Sequence, residues 1–126
     1  MNQRIETDDA PAAIGPYSQA IKVGNLIFSA GQVALKPGSG DLMNATIEEE
    51  VHQVMSNLKA VAQAGGTSLD KAVKTTIFTT DLGLFGRINE AYGSYFKGTP
   101  PARSTVQVAS LPKGAKVEIE MIFSTD

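Results

Sequence analysis

Residues 46–80 read TIEEEVHQVMSNLKAVAQAGGTSLDKAVKTTIFTT, and two different periodicities meet inside them. In the first half Ile47, Val51, Val54, Leu58 and Val61 recur at spacings of four and three, the stripe of an amphipathic helix. Thr46 with Glu49 three residues later fits a capping box, and Gly65-Gly66 offers the left-handed backbone on which helices close. In the second half, residues 72–80 are crowded with Thr, Val, Ile and Phe, which suit a pleated surface better than a helix. A helix that runs straight into a strand calls for a layered fold of helix on sheet.

The flanks extend this pattern. Upstream, residues 18–34 (SQAIKVGNLIFSAGQVA) read as two strands joined at Gly24-Asn25, and residues 36–41 (KPGSGD) as an exposed loop. Downstream, a second helix is predicted to begin near Asp81, to bury Leu84, Ile88, Tyr92 and Tyr95, and to end before Gly98. Two last strands, Ala102 to Val108 and Ala115 to Phe123, are separated by the turn-like SLPKG of residues 110–114. No repeat or linker interrupts the chain, so residues 1–126 are expected to form one domain with element order ββαβαββ. The fold class is α+β, with both helices on one face of the sheet.

Two helices cover only one face, and the other face is not polar. Val117, Ile119, Met121 and Phe123 alternate with Glu118, Glu120 and Ile122, while Val73, Thr75 and Ile77 alternate with Lys74, Thr76 and Phe78. Phe78, Ile122 and one side of Leu26-Ile27-Phe28 would leave an apolar patch on a free chain, which predicts a homo-oligomer. The alternative is an uncovered face with scattered apolar residues.

Composition narrows the chemistry. With no cysteine in 126 residues, thiolate nucleophiles and cysteine-held zinc or iron–sulfur clusters are excluded. The single histidine, His52, lies off the helix stripe and is expected to face water, so neither a metal site nor a serine triad has its parts. No phosphate-cradling glycine loop is present. A net charge of −2 gives little field for a polyanion, and no segment reads as a signal peptide or membrane span, so a cytoplasmic protein is expected.

Two polar features stand apart. Arg103 follows Pro100-Pro101-Ala102, a stiff lead-in that aims its guanidinium where a strand begins. Such a fork suits a carboxylate clamp, or equally a salt bridge at a strand edge. Glu118 and Glu120 share one strand face about 6.6 Å apart, so they are either a solvated pair or a carboxylate whose pKa burial raises for proton transfer.

The segments APAAIGPYSQAI (10–21), FSAGQ (28–32), NEAYGSYF (89–96) and PPARSTVQVASLPKGAKVEIE (100–120) resemble the reactive intermediate deaminase family, also called RidA or YjgF, nearly end to end. The resemblance implies a chorismate-mutase-like subunit, a homotrimer with active sites between subunits, and cofactor-free hydrolysis of 2-aminoacrylate and related enamines or imines to 2-oxo acids and ammonia. It also implies that Arg103 binds the substrate carboxylate and that Glu118 positions or activates water. Tyr17, Ala30, Gly31, Asn89 and Thr105 match positions that line the cleft. Many members carry cysteine where this chain has Thr105 and serine where it has Ala30, which bears on substrate range. Gln32 is either a contact or a support for the hairpin. Two other readings compete, a non-catalytic trimer that holds small carboxylates or acts as a chaperone, and a ribonuclease or translation inhibitor; the acidic composition and lone histidine weigh against the latter.

Overall fold

The computed structural model describes residues 2–126. The elements in chain order are β1 (Gln3–Ile5), β2 (Ala20–Val23), β3 (Leu26–Ser29), α1 (Ile47–Ala64), β4 (Ala72–Thr79), α2 (Phe85–Gly93), β5 (Ala102–Gln107) and β6 (Val117–Ser124). They form one six-stranded sheet in the order β1-β2-β3-β6-β4-β5, in which β4 and β5 pair in parallel and every other pair is antiparallel. The two helices pack on each other and α1 packs across β6 and β3, so the sheet is mixed and covered on one face.

Local chemistry explains the elements. Thr46 accepts a hydrogen bond from the Glu49 N–H at 3.0 Å at the start of α1. At its end Gly66, at φ 83°, allows Thr67 N–H to reach Ala62 O and Gly66 N–H to reach Gln63 O, the paired bonds of a Schellman motif. The stripe predicted for α1 is buried in full and meets Ile27, Ile119, Met121 and Phe123 in the core.

The structure departs from the sequence reading in five places. A short edge strand, β1, adds a sixth strand through Arg4↔Ile21 and Ile5↔Ala20; three residues carry too short a pattern to reveal it. The strand predicted through Ala34 stops at Ser29, and only Gln32 pairs further, exchanging backbone bonds with Ile119. Val73 is 46% exposed rather than aligned with Thr75 and Ile77, because a bulge between Ala72 and Lys74 shifts the register and puts Ala72 inward. Asp81 caps a 3-10 turn of Leu82–Leu84, its Oδ1 accepting from Gly83 N–H, and α2 proper begins at Phe85. Tyr95 lies beyond α2, half-buried, where its hydroxyl shares a 2.8 Å hydrogen bond with Nδ1 of the exposed His52.

The face away from the helices carries Phe28, Ile122, Glu118, Glu120, Phe78 and Val106, with Phe28 41% and Val106 42% exposed. The mixed surface expected from the strand alternation is therefore open on a single chain.

Candidate active site

Strand β5 is the edge of the sheet, so one row of its backbone groups points outward. Arg103 sits on β5 in register with Thr75 of β4, and Thr75 is fully buried under the helices. The Arg103 side chain therefore rises on the helix face. There Phe85, Asn89 and Tyr92 of α2, at i, i+4 and i+7, share one side of the helix and surround the guanidinium. Its Cζ lies 5.4 Å from the Phe85 ring centre and 5.3 Å from that of Tyr92, and Nη1 donates to Asn89 Oδ1 at 2.7 Å. Among the described residues the ion pairs are Arg4–Glu6 and Arg87–Glu48, and no carboxylate neutralises Arg103. The strand-edge salt bridge is thereby set aside. Sites for small organic molecules hold roughly 300–1,000 Å³, and the cavity that Arg103 shares with Asn89, Tyr92, Gly93, Phe96 and Pro100-Pro101 holds about 530 Å³.

Glu118 occupies the opposite face. It pairs with Phe78, between the buried Val117 and Ile119, and lines a second cavity of about 480 Å³ together with Tyr17, Ala30, Gly31, Gln32 and Lys113. Burial raises its pKa above the ordinary glutamate value, and the negative charge of Glu120 raises it further. Gly31 permits the close approach, since a Cβ there would stand 2.8 Å from Glu118 Cδ and Oε2. Tyr17 is exposed, its hydroxyl accepting a long hydrogen bond of 3.4 Å from Ile14 N–H. Gln32 both lines this cavity and, through its backbone, ties residues 30–33 to β6.

The residues singled out from the sequence thus form two groups within one chain. Tyr17, Ala30, Gly31 and Glu118 line the cavity of the open face, and Asn89 and Arg103 that of the helix face. Thr105, in register with the buried Ile77, belongs to the helix side; its Oγ1 is buried and without a hydrogen-bond partner among the described residues.

Supporting residues escaped the sequence reading. Glu50 of α1 is fully buried, and its Oε2 accepts from Lys116 N–H at 2.6 Å and Val117 N–H at 3.0 Å, fixing the root of β6 just before Glu118. Gln19 accepts from Thr7 N–H and donates to Pro11 O, holding the loop that walls the Glu118 cavity. Asn57 donates to Val33 O and Leu35 O on the other wall. Each lies in a segment where it passes for a surface residue, and only its partners distant in sequence reveal it.

The family described as Endoribonuclease L-PSP matches residues 7–124. The chain belongs to this family, and it is the reactive intermediate deaminase, or Rid, family that the sequence motifs resemble. Among members of the Rid family, the crystal structure of YyfA from Yersinia pestis superposes with a TM-score of 0.95 at 50% identity, covering 98% of this chain and 99% of that one. A RutC family protein, y4sK of Sinorhizobium fredii, is 51% identical over 98% of both chains. The 2-iminobutanoate/2-iminopropanoate deaminase of Mus musculus is 48% identical over 94% of this chain and 87% of its own length. As a Rid-family chain, this protein has relatives named as deaminases and others that carry more general names. No helix among the described residues is long and apolar enough to cross a membrane.

Proposed function

We propose that this Rid-family protein hydrolyses small 2-imino acids, and the enamines in equilibrium with them, to 2-oxo acids and ammonia in the cytoplasm, at sites formed between the subunits of a homotrimer. The observation that carries this reading is Arg103: a half-buried guanidinium at a cavity mouth, held by two rings and an amide and left with its full charge. A substrate carboxylate is the partner that such a fork accepts bidentately.

The mechanism asks little of the protein beyond placement. A 2-aminoacrylate-type enamine gains a proton at C3 to give the iminium, whose C2 is then electrophilic. Water adds to C2 as a proton passes to Glu118; the carbinolamine nitrogen then receives that proton back and leaves as ammonia, while the carbinolamine hydroxyl gives its own proton to the freed carboxylate and on to solvent, balancing the proton taken up at C3 and leaving the 2-oxo acid. A carboxyl with a raised pKa is suited to both transfers near neutral pH. Thr105 stands two residues along β5 from the anchor with its Oγ1 shielded from solvent, and Tyr17 walls the space for the substrate side chain. Arg103 and Glu118 lie on opposite faces of one sheet, so they can meet one small molecule only if a second copy brings its Glu118 face against the first copy's Arg103 edge. The exposed Phe28 and Val106 on the open face support that packing.

The decisive assay follows ammonia release from freshly generated 2-iminopropanoate. Arg103→Ala is expected to lower the rate by at least about a hundredfold, the scale of a lost orienting clamp. A near-normal rate in that variant sinks the clamp, and wild-type binding of 2-oxobutanoate without turnover selects the non-catalytic carboxylate-binding reading. RNA cleavage that persists in both Arg103→Ala and Glu118→Ala would select a nuclease instead.

A further inference from the structure

Tyr92 is 3% exposed, carries no charge to deliver, and is one of the residues that line the Arg103 cavity. Its hydroxyl donates to Thr75 Oγ1 at 3.0 Å, and Thr75 is the β4 residue in register with Arg103 on β5. The ring face meets the Arg103 guanidinium at 5.3 Å. These contacts close a loop: Arg103 to the Tyr92 ring, Tyr92 hydroxyl to Thr75, and Thr75 across one rung of the sheet back to Arg103. The Phe96 ring, 5.0 Å from that of Tyr92, closes the other side.

We infer that Tyr92, tied through Thr75, is a positioning residue that sets the angle of the Arg103 fork, an inference that rests on the carboxylate-binding role proposed for Arg103. The physical reason lies in what an anchor for an anion needs. A carboxylate partner would hold a guanidinium firmly but cancel the charge that the substrate must meet. An aromatic face attracts the cation through its quadrupole and leaves that charge available. A ring free to tilt would let the fork swing, and the buried hydroxyl bond prevents the tilt by fixing the ring to the strand next to the arginine's own. Asn89 Oδ1 then fixes the remaining rotation by occupying Nη1.

The tie can be cut from either end without touching the arginine. Tyr92→Phe keeps the ring and removes the donor, and Thr75→Val keeps the volume and removes the acceptor. Losing one buried hydrogen bond of this kind corresponds to roughly a threefold to tenfold change in an equilibrium. Both variants are therefore expected to raise KM for 2-iminobutanoate, and Kd for 2-oxobutanoate, by about that factor while kcat stays within about twofold. In an Arg103→Lys background, where no planar fork remains to be aimed, Tyr92→Phe is expected to add nothing further. A drop in melting temperature with KM and Kd unchanged in both variants overturns the inference, since a purely structural bond behaves that way. So does an undiminished effect of Tyr92→Phe on the Arg103→Lys background. Failure of the underlying reading is distinguishable, because 2-oxobutanoate would then bind equally well to Arg103→Ala.

Discussion

A Cβ placed on Gly31 would meet the far end of the Glu118 side chain at 2.8 Å, and that end is free to swing while the backbone is not. Gly31→Ala is therefore expected to move the carboxyl rather than the fold, lowering imine hydrolysis at least about tenfold with a melting temperature within about 2 °C of wild type, as suits a displaced side chain. Kinetics and calorimetry on the same preparation check both halves. Glu118 itself makes a pH-dependent contribution. Its folded pKa lies above the ordinary value of 4.5, so its contribution to stability is complete below that pH and is lost as pH rises through the raised value. Glu118→Gln stays neutral throughout. The melting temperature of Glu118→Gln relative to wild type should be near zero at pH 4 and positive at pH 7; a difference that is constant with pH would contradict the shift.

Helix α1 does more for the site than cover the sheet. Glu50 reaches from its first turns to two backbone N–H groups at the root of β6, while Thr79 Oγ1 and Thr80 N–H grip Lys116 O from the other side. Removing the carboxylate leaves two buried donors unpaired, so Glu50→Ala is expected to cost about 3 kcal/mol, and Glu50→Gln, which keeps an acceptor, about 1 kcal/mol. Urea midpoints at one protein concentration test this ordering. The other end of α1 meets the sheet so closely that a Cβ on Gly65 would lie 2.6 Å from Ile27 Cδ1 and 2.8 Å from Ile5 Cδ1. Gly65 has an ordinary φ of −87°, so the requirement for glycine there is one of space, and Gly65→Ala should destabilise by about 1–3 kcal/mol through overpacking.

Across the whole molecule, the placement of Arg103 and Glu118 on opposite faces makes a sharp experiment possible. Arg103→Ala and Glu118→Ala should each be inactive alone, yet refolding the two together should restore up to about a quarter of the wild-type sites, those that draw an intact arginine from one chain and an intact glutamate from another. No recovery would place both groups' work within a single chain. Phe28→Glu, a charge set among the exposed apolar residues of the open face, is expected to break up the proposed trimer, so that the sedimenting mass falls to that of the single 13.3 kDa chain, and to abolish the proposed activity with it, although Arg103 and Glu118 remain.

Periodicity determined much of this protein directly. The spacing of Ile47 to Val61 and the alternation of Val117 to Phe123 each encode which side of an element is apolar, and burial follows from that alone. Local turn chemistry likewise placed the Thr46 cap and the Gly24-Asn25 hairpin, because such signals are complete within a few residues. The motif PARS…VEIE marked Arg103 and Glu118 without saying how they stand to each other. That depended on register: β4 lies between β5 and β6 in the sheet, and the count along its rungs sends Arg103 up and Glu118 down. The partners of Glu50, Asn57 and Tyr92 were equally a matter of tertiary structure, since a hydrogen bond between residues far apart in the chain leaves no periodic trace in either segment.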